Sequence, residues 1–174
     1  MTLSSSQSNE VHGGRIEVIT HTPEDTQNLG RTLGSHAEPG HVYLLSGELG
    51  SGKTCLTQGV LWGLGGDEYA RSPTFVLISE YAGRLPLYHV DLYRIGSAAD
   101  AADIGLDEYL FGDGVCAIEW SDRASEFLDG IGHLEVRFER LGENDRRLAI
   151  SASDHRYDPV MDAVESTMTA ARWV

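Results

Sequence analysis

Residues 46–54 read SGELGSGKT, and from Gly47 they follow the pattern Gly-x-x-x-x-Gly-Lys-Thr of a phosphate-binding P-loop. The preceding residues, 41–46, form a short apolar run (HVYLLS) typical of a buried strand, and apolar residues recur at helical spacing over 55–64. Permissive glycines let successive backbone N–H groups curl around an anion, and the following helix aims its positive dipole end at the same place. The stretch predicts a strand, a phosphate loop and a helix. A glycine-rich turn that matches by accident would leave that flanking pattern unexplained.

Lys53 is the only lysine in 174 residues, alongside twelve arginines. A flexible ammonium can follow a moving phosphoryl group better than a planar guanidinium can, so a lysine kept at this position favours a phosphate-binding role. In a P-loop, Lys53 would reach the β- and γ-phosphates and the Thr54 hydroxyl would ligate Mg²⁺.

The formal net charge of −14 argues against strong direct binding to tRNA or other nucleic acid, because the field of the protein would repel phosphate backbones. A cluster of arginines at 137, 140, 146 and 147 alternates with acidic residues, which predicts a solvated mixed face. The apolar runs are too short to span a membrane, and residues 1–13 lack the pattern of a signal peptide, so the expected location is the cytoplasm.

Hydrophobic periodicity divides the chain into a disordered lead-in at 1–14, one domain at 15–153 and a tail of helical spacing at 154–174. Within the domain, two pairs of strands flank tight turns and predict antiparallel hairpins, at 74–81 with 85–93 and at 133–141 with 146–153. Further strands are predicted at 15–20, 41–46 and 115–120, and helices at 22–36, 55–64, 97–110, 121–128 and 158–173.

Two predicted strands end in an acid: LYHVD at Asp91 and VCAIE at Glu119. A P-loop needs a carboxylate for Mg²⁺ and a group that positions the attacking water. We assign Asp91 to the metal and Glu119 to the water, because the longer side chain can reach past the metal. The reverse assignment stays open, as does a purely structural ion pair with Arg94 or Arg123.

Three further residues have both a functional and a structural interpretation. Thr74, in the stretch SPTF, is a candidate switch residue that senses the γ-phosphate, or part of a plain turn. His89 shares a strand face with Asp91 and is either a metal partner or an ordinary polar neighbour. Trp120 is a candidate stacking platform or a core residue. ATP is favoured over GTP, because the NKxD motif of GTPases requires a second lysine.

The set GELGSGKT, SPTF, HVDLYRI and IEW, in this order, resembles the TsaE (YjeE) family. Members of that family are bacterial P-loop ATPases that act with TsaD and TsaB to form threonylcarbamoyladenosine at position 37 of tRNAs reading ANN codons. The resemblance covers about residues 16–151, and it leaves the lead-in and the tail unexplained.

The resemblance implies an α/β, P-loop NTPase-like three-layer fold with a mixed central sheet, in agreement with the predicted hairpins. It implies Mg²⁺ at Thr54 and Asp91, a switch role for Thr74 and a catalytic role for Glu119, giving Lys53, Thr74 and Glu119 as the catalytic set. The implied contacts to ATP are Glu48, Leu49, Gly50, Ser51, Gly52, Lys53, Thr54 and Trp120.

The leading hypothesis is an ATPase that serves a tRNA-modifying assembly with TsaD-like and TsaB-like partners. A small-molecule P-loop kinase is the alternative; it would need an acceptor pocket and a lid bearing arginine, and residues 96–114 contain no arginine. A nucleotide-dependent switch with negligible hydrolysis is a third possibility. Residues 22–26 are candidates for contact with adenine.

Overall fold

This computed structural model describes residues 14–171 of the chain, which form seven strands and six α-helices. The strands are β1 (Ile16–Thr20), β2 (Val42–Ser46), β3 (Ile78–Tyr81), β4 (Leu87–Asp91), β5 (Val115–Glu119), β6 (Leu134–Arg140) and β7 (Arg146–Ala152). The helices are α1 (Pro23–Ser35), α2 (Lys53–Gly63), α3 (Ala98–Asp103), α4 (Leu106–Leu110), α5 (Ser125–Leu128) and α6 (Asp158–Ala171). The expected disorder at 1–13 and the predicted end of the last helix, at 172–173, lie outside the described residues.

The seven strands of the described residues form one sheet in the order β1-β7-β6-β2-β5-β4-β3. At its centre β6, β2, β5 and β4 are parallel, whereas β7 pairs antiparallel with β6 and β1, and β3 pairs antiparallel with β4. The predicted mixed sheet is therefore confirmed. Because parallel strands end at the same edge, the carboxyl ends of β2, β4 and β5 lie side by side.

Helices cover both faces of the sheet, as a three-layer fold requires. On one face α1, α2 and α6 pack on alternate strand residues that include Tyr43, Leu45 and Ala117. On the other face α3, α4 and α5 pack on the intervening residues, such as Val42 and Leu44. The helix that follows the P-loop, α2, thus shares its face of the sheet with α1.

Glycines set the close packing of α1 on α2. A Cβ atom added at Gly30 or Gly34 would overlap the backbone of α2, and one added at Gly59 or Gly63 would overlap the backbone of α1. The two helices therefore approach each other with backbone against backbone, at positions where only glycine fits. Their spacing of four residues on each helix places each pair on one face.

Replacing Gly59 with alanine is expected to destabilise the fold by about 1–3 kcal/mol, because the added methyl group would meet the backbone of Gln27. The gain in helix propensity from glycine to alanine, about 1 kcal/mol, offsets only part of that cost. Denaturant unfolding would measure the difference. As a control, Asn28→Ala on the exposed side of α1 should stay within about 0.5 kcal/mol of the parent. Equal stability of Gly59→Ala and the control would contradict the glycine contact.

The predicted start of one strand is wrong. Residues 74–77 form a turn, in which Leu77 has a φ of 68° and donates its N–H to the carbonyl of Pro73 at 2.6 Å. Strand β3 begins only at Ile78. Phe75, which the pattern assigned to that strand, is 84% exposed. The apolar run predicted too early a start for the strand, because its first residues lie in an exposed loop rather than in the core.

The C-terminal segment packs on the domain. Val160 and Val164 of α6 are fully buried in the same core as Leu33 of α1. Just before the helix, the Tyr157 hydroxyl accepts a hydrogen bond from the backbone N–H of Val42 in β2 at 2.9 Å. Within residues 14–171, no helix is both long enough and apolar enough to cross a bilayer.

Candidate functional site

The loop between β2 and α2 has the backbone of a phosphate cradle. Gly50 and Gly52 have φ values of 74° and 109°, a conformation that glycine adopts at little cost. The helix begins directly afterwards at Lys53, so its unpaired N–H groups and its positive dipole end face the loop. The local structure predicted from the sequence is therefore present.

An arginine missed by the sequence analysis supports this loop from outside. The Arg146 guanidinium donates to the carbonyls of Ser51 at 3.1 Å and Gly50 at 3.3 Å, and to carbonyls of the β6–β7 turn. The interpretation of this arginine cluster as a solvated face is wrong for Arg146. Its role depends on the β6–β7 turn folding against the P-loop, a contact that alternating charges in the sequence do not reveal.

The Lys53 ammonium is held at the mouth of the loop. Its Nζ donates to the carbonyls of Gly47 at 2.8 Å and Glu48 at 2.9 Å, and it lies 4.1 Å from the ring centre of Trp120. Burial lowers the pKa of Lys53, against the attraction of nearby carboxylates that include Glu119. A positive charge is thus concentrated at the start of α2.

Asp91, at the end of β4, is joined to the loop that follows α2. One of its oxygens accepts hydrogen bonds from the hydroxyls of Ser72 and Thr74, the latter at 3.2 Å, and the other accepts from the N–H of Tyr93 at 2.9 Å. The structure therefore brings the predicted switch residue to the predicted metal ligand. Ser72 was missed, although it stands in the same SPTF stretch.

Glu119, at the end of β5, is joined to the P-loop helix. Its Oε1 accepts a hydrogen bond from the Thr54 hydroxyl at 2.7 Å and lies 2.8 Å from His89 Nε2. The magnesium pair expected from the sequence was Thr54 with Asp91, whereas in the structure the direct partner of Thr54 is Glu119. Asp91 and Glu119 stand opposite each other in adjacent parallel strands, so both carboxylates reach the same edge of the sheet.

A cleft of about 330 Å³ collects most of the predicted site residues. Those that line it are Leu49, Gly50, Ser51, Gly52, Lys53, Thr54, Thr74, Asp91, Glu119 and Trp120. Glu48 lines a neighbouring cavity of about 750 Å³ instead, which shares Trp120 as a wall. Residues 22–26, the candidates for adenine contact, line neither cavity, although the Cys55 thiol of α2 donates to the carbonyl of Pro23 at 3.3 Å.

Trp120 has a backbone conformation that is rare for residues other than glycine, with a φ of 58°. The chain turns sharply there into a 3₁₀ helix, Ser121–Ala124, so the continuous helix predicted from Ser121 is replaced by this turn and the short α5. The indole also packs on the ring of Tyr93, with ring centres 5.0 Å apart. Strain of this kind is concentrated at functional sites.

The residues around the cleft fit a nucleotide phosphate with a magnesium ion. The loop amides, the helix terminus and Lys53 provide positive charge, and the Thr54 hydroxyl with two carboxylates provides oxygen ligands. Among residues 14–171, no group of three histidine, cysteine or acidic side chains could hold a metal ion. Mg²⁺ suits such a site, because it usually keeps several waters and takes oxygens from substrate phosphates.

Comparisons with known proteins identify a family that this chain matches over most of its length. A family model described as "Threonylcarbamoyl adenosine biosynthesis protein TsaE" matches residues 20–148. The "tRNA threonylcarbamoyladenosine biosynthesis protein TsaE" of Bacillus subtilis is 41% identical over 140 residues, which cover 80% of this chain and 87% of the relative. The protein of the same name in Treponema pallidum is 40% identical over 137 residues, which cover 78% of this chain and 100% of the relative.

A solved structure also has this fold. The crystal structure of YdiB from Bacillus subtilis matches with a TM-score of 0.77 at 34% identity, and the match covers 89% of this chain and 97% of that one. The resemblance and the fold class inferred from the sequence motifs are both confirmed.

Proposed function

The chain belongs to the TsaE family, and from that premise we propose that it is a magnesium-dependent ATPase that serves the formation of threonylcarbamoyladenosine in tRNA. The observation that carries the ATPase proposal is the contact between Thr54 and Glu119 at 2.7 Å, which joins a strand-end carboxylate to the P-loop. A phosphate cradle by itself binds a nucleotide but does not supply a group for its hydrolysis. A buried carboxylate at its mouth adds a group that can orient water.

Each residue of the cleft has a role in this proposal. Lys53 offsets the charge of the β- and γ-phosphates, and Thr54 with Asp91 would hold Mg²⁺, which supplies further positive charge when it is bound. Thr74, in the loop before β3, is the proposed switch residue that senses the γ-phosphate. Its hydroxyl already contacts Asp91, the proposed metal ligand. Glu119 orients the attacking water.

ATP is the proposed nucleotide rather than GTP. Lys53 is the only lysine in the chain, so the NKxD motif of guanine recognition cannot form. Trp120, which is half-buried on the wall of the cleft, offers an aromatic surface beside the phosphate site.

We propose that TsaD-like and TsaB-like proteins stimulate the turnover. Phosphoryl transfer is accelerated when an arginine neutralises charge on the γ-phosphate, and another protein can supply that arginine. Within the described residues, no arginine lines the cleft: Arg94 lies over the ring of Phe75 and Arg123 over the ring of Tyr93. The net charge of −14 favours a basic surface on a partner and disfavours free tRNA.

A small-molecule kinase is the second candidate, and one observation favours it. The cavity of about 750 Å³ next to the P-loop is large enough for an acceptor and is lined by charged side chains such as Glu48, Asp122 and Arg137. Against it, the segment 96–114, which forms α3 and α4, supplies no arginine for a lid.

Steady-state ATP hydrolysis, measured under four conditions, tests the proposal. The protein alone should bind ATP but hydrolyse it slowly, tRNA alone should change the rate little, and the two partners together should stimulate hydrolysis. When tRNA and a threonylcarbamoyl donor are added to both partners, the modified nucleoside should form as well. Full activity in isolation would contradict the dependence on partners. Stimulation by a small metabolite, with appearance of its phosphate ester, would support the kinase instead.

A further inference from the structure

A fully buried histidine lies behind Glu119. His89 of β4 is 0% exposed, and its Nε2 is 2.8 Å from Oε1 of Glu119, which is itself 3% exposed. An ionised carboxylate can only accept hydrogen bonds, so in this contact the N–H is on Nε2 and Oε1 is the acceptor. The other ring nitrogen, Nδ1, is buried without a hydrogen-bond partner in the described structure.

Packing alone does not account for an imidazole at this position. On the same face of the sheet, the neighbours of His89 are Leu87 of its own strand, Ala117 of β5 and Ser79 of β3. None of them forms a hydrogen bond with its ring, and a buried polar atom without a partner costs free energy. An apolar side chain would avoid that cost. The contact that distinguishes histidine from such a residue is the one to Glu119.

We propose that His89 is a positioning residue for Glu119, an inference that rests on the proposed ATPase function. The Thr54 hydroxyl approaches the same Oε1 at 2.7 Å, so this oxygen is held from both β4 and α2. Once the Thr54 hydroxyl turns to a bound ion, the bond from His89 still fixes Oε1. That bond therefore sets the direction in which the second carboxylate oxygen of Glu119 points.

The role predicts a loss in turnover rather than in binding. His89 is not among the residues that line the cleft, so removing its N–H should leave contacts to ATP unchanged. A displacement of about 1 Å at a reacting group can slow chemistry by about 100-fold. A residue that merely filled the core would change stability instead.

Two amide variants test the position of the donor. In His89→Gln the amide nitrogen lies near the place of Nε2, whereas in His89→Asn it lies near the place of Nδ1. We expect His89→Gln to retain most of the single-turnover rate and His89→Asn to lose about 100-fold, with a similar Kd for Mg-ATP in both. Thermal unfolding of each variant controls for stability. Should His89→Asn fail to fold, His89→Gln still decides: a folded glutamine variant as slow as Glu119→Gln would overturn the proposal.

A double variant separates this inference from the proposed function. Because His89 acts through Glu119, adding His89→Asn to Glu119→Gln should slow hydrolysis little further. Losses that multiply, or an asparagine variant as fast as the parent, would overturn the positioning role. Normal turnover in both Glu119→Gln and Asp91→Asn would contradict the proposed function, whereas normal turnover in Glu119→Gln alone would remove the catalytic role of Glu119 and with it the positioning role of His89.

Discussion

Replacing Glu119 with glutamine is expected to slow single-turnover ATP hydrolysis by about 100-fold or more while Mg-ATP binding is kept. Glutamine preserves the shape of the side chain and can still accept the hydrogen bond from the Thr54 hydroxyl. It lacks the negative charge that would orient and polarise a water molecule. Rapid-quench measurement of the hydrolysis rate, together with a calorimetric Kd for Mg-ATP, separates the two effects.

Asp91→Asn is the matched control for that variant. It makes the same change of charge at the end of the neighbouring strand, and we expect it to weaken Mg-ATP binding, because Asp91 is the proposed metal ligand. An exchange of the two results would reverse the roles of the carboxylates and leave the site in place. Normal hydrolysis in both variants would make these residues structural.

The parts of the fold that could be predicted are those specified by local sequence. Helix α1 begins as its sequence indicates, with Thr22 accepting from the N–H of Asp25 and with proline at its first position. Apolar residues that repeat every two residues identified the strands, and apolar residues that repeat every 3.6 residues identified the helices that pack on the core. The start of β3 could not be identified in this way, because Phe75 is apolar and exposed.

Long-range contacts limited the prediction of the site. The motif identified Lys53 and Thr54, and the strand ends identified Asp91 and Glu119, but the direct partner of each side chain depends on strand register and on packing of α2 against the sheet. Arg146 contacts the loop from more than 90 residues away in the sequence. Local pattern carries no information about such a contact.

The glycine contact between α1 and α2 has a visible pattern in the sequence. Gly30 with Gly34 and Gly59 with Gly63 are each spaced by four residues, and glycines within helices otherwise reduce helix propensity. Two such pairs on consecutive helices indicate close approach of backbones. Their positions also fix how α2, and therefore the P-loop at its start, lies against α1.

Removing the ammonium of Lys53 is expected to weaken Mg-ATP binding by about 1.5–3 kcal/mol, the range for a hydrogen bond to a charged group. That loss corresponds to roughly a ten- to hundredfold increase in Kd. In the structure Nζ donates to the carbonyls of Gly47 and Glu48, so the ammonium already lies at the mouth of the loop. It can contact a bound phosphate without a large rearrangement of the chain. Calorimetric titration of Lys53→Ala with Mg-ATP measures the effect.

A second variant distinguishes the charge from the packing of the side chain. Lys53 also lies over Trp120, so alanine removes an apolar stem as well as a charge. Lys53→Met keeps a stem of similar length and loses only the ammonium. If charge dominates, both variants bind Mg-ATP equally weakly while their unfolding temperatures stay close to that of the parent. Affinity equal to that of the parent in Lys53→Met would show that the loop amides and the α2 terminus hold the phosphates alone, and the P-loop role of Lys53 would have to be abandoned.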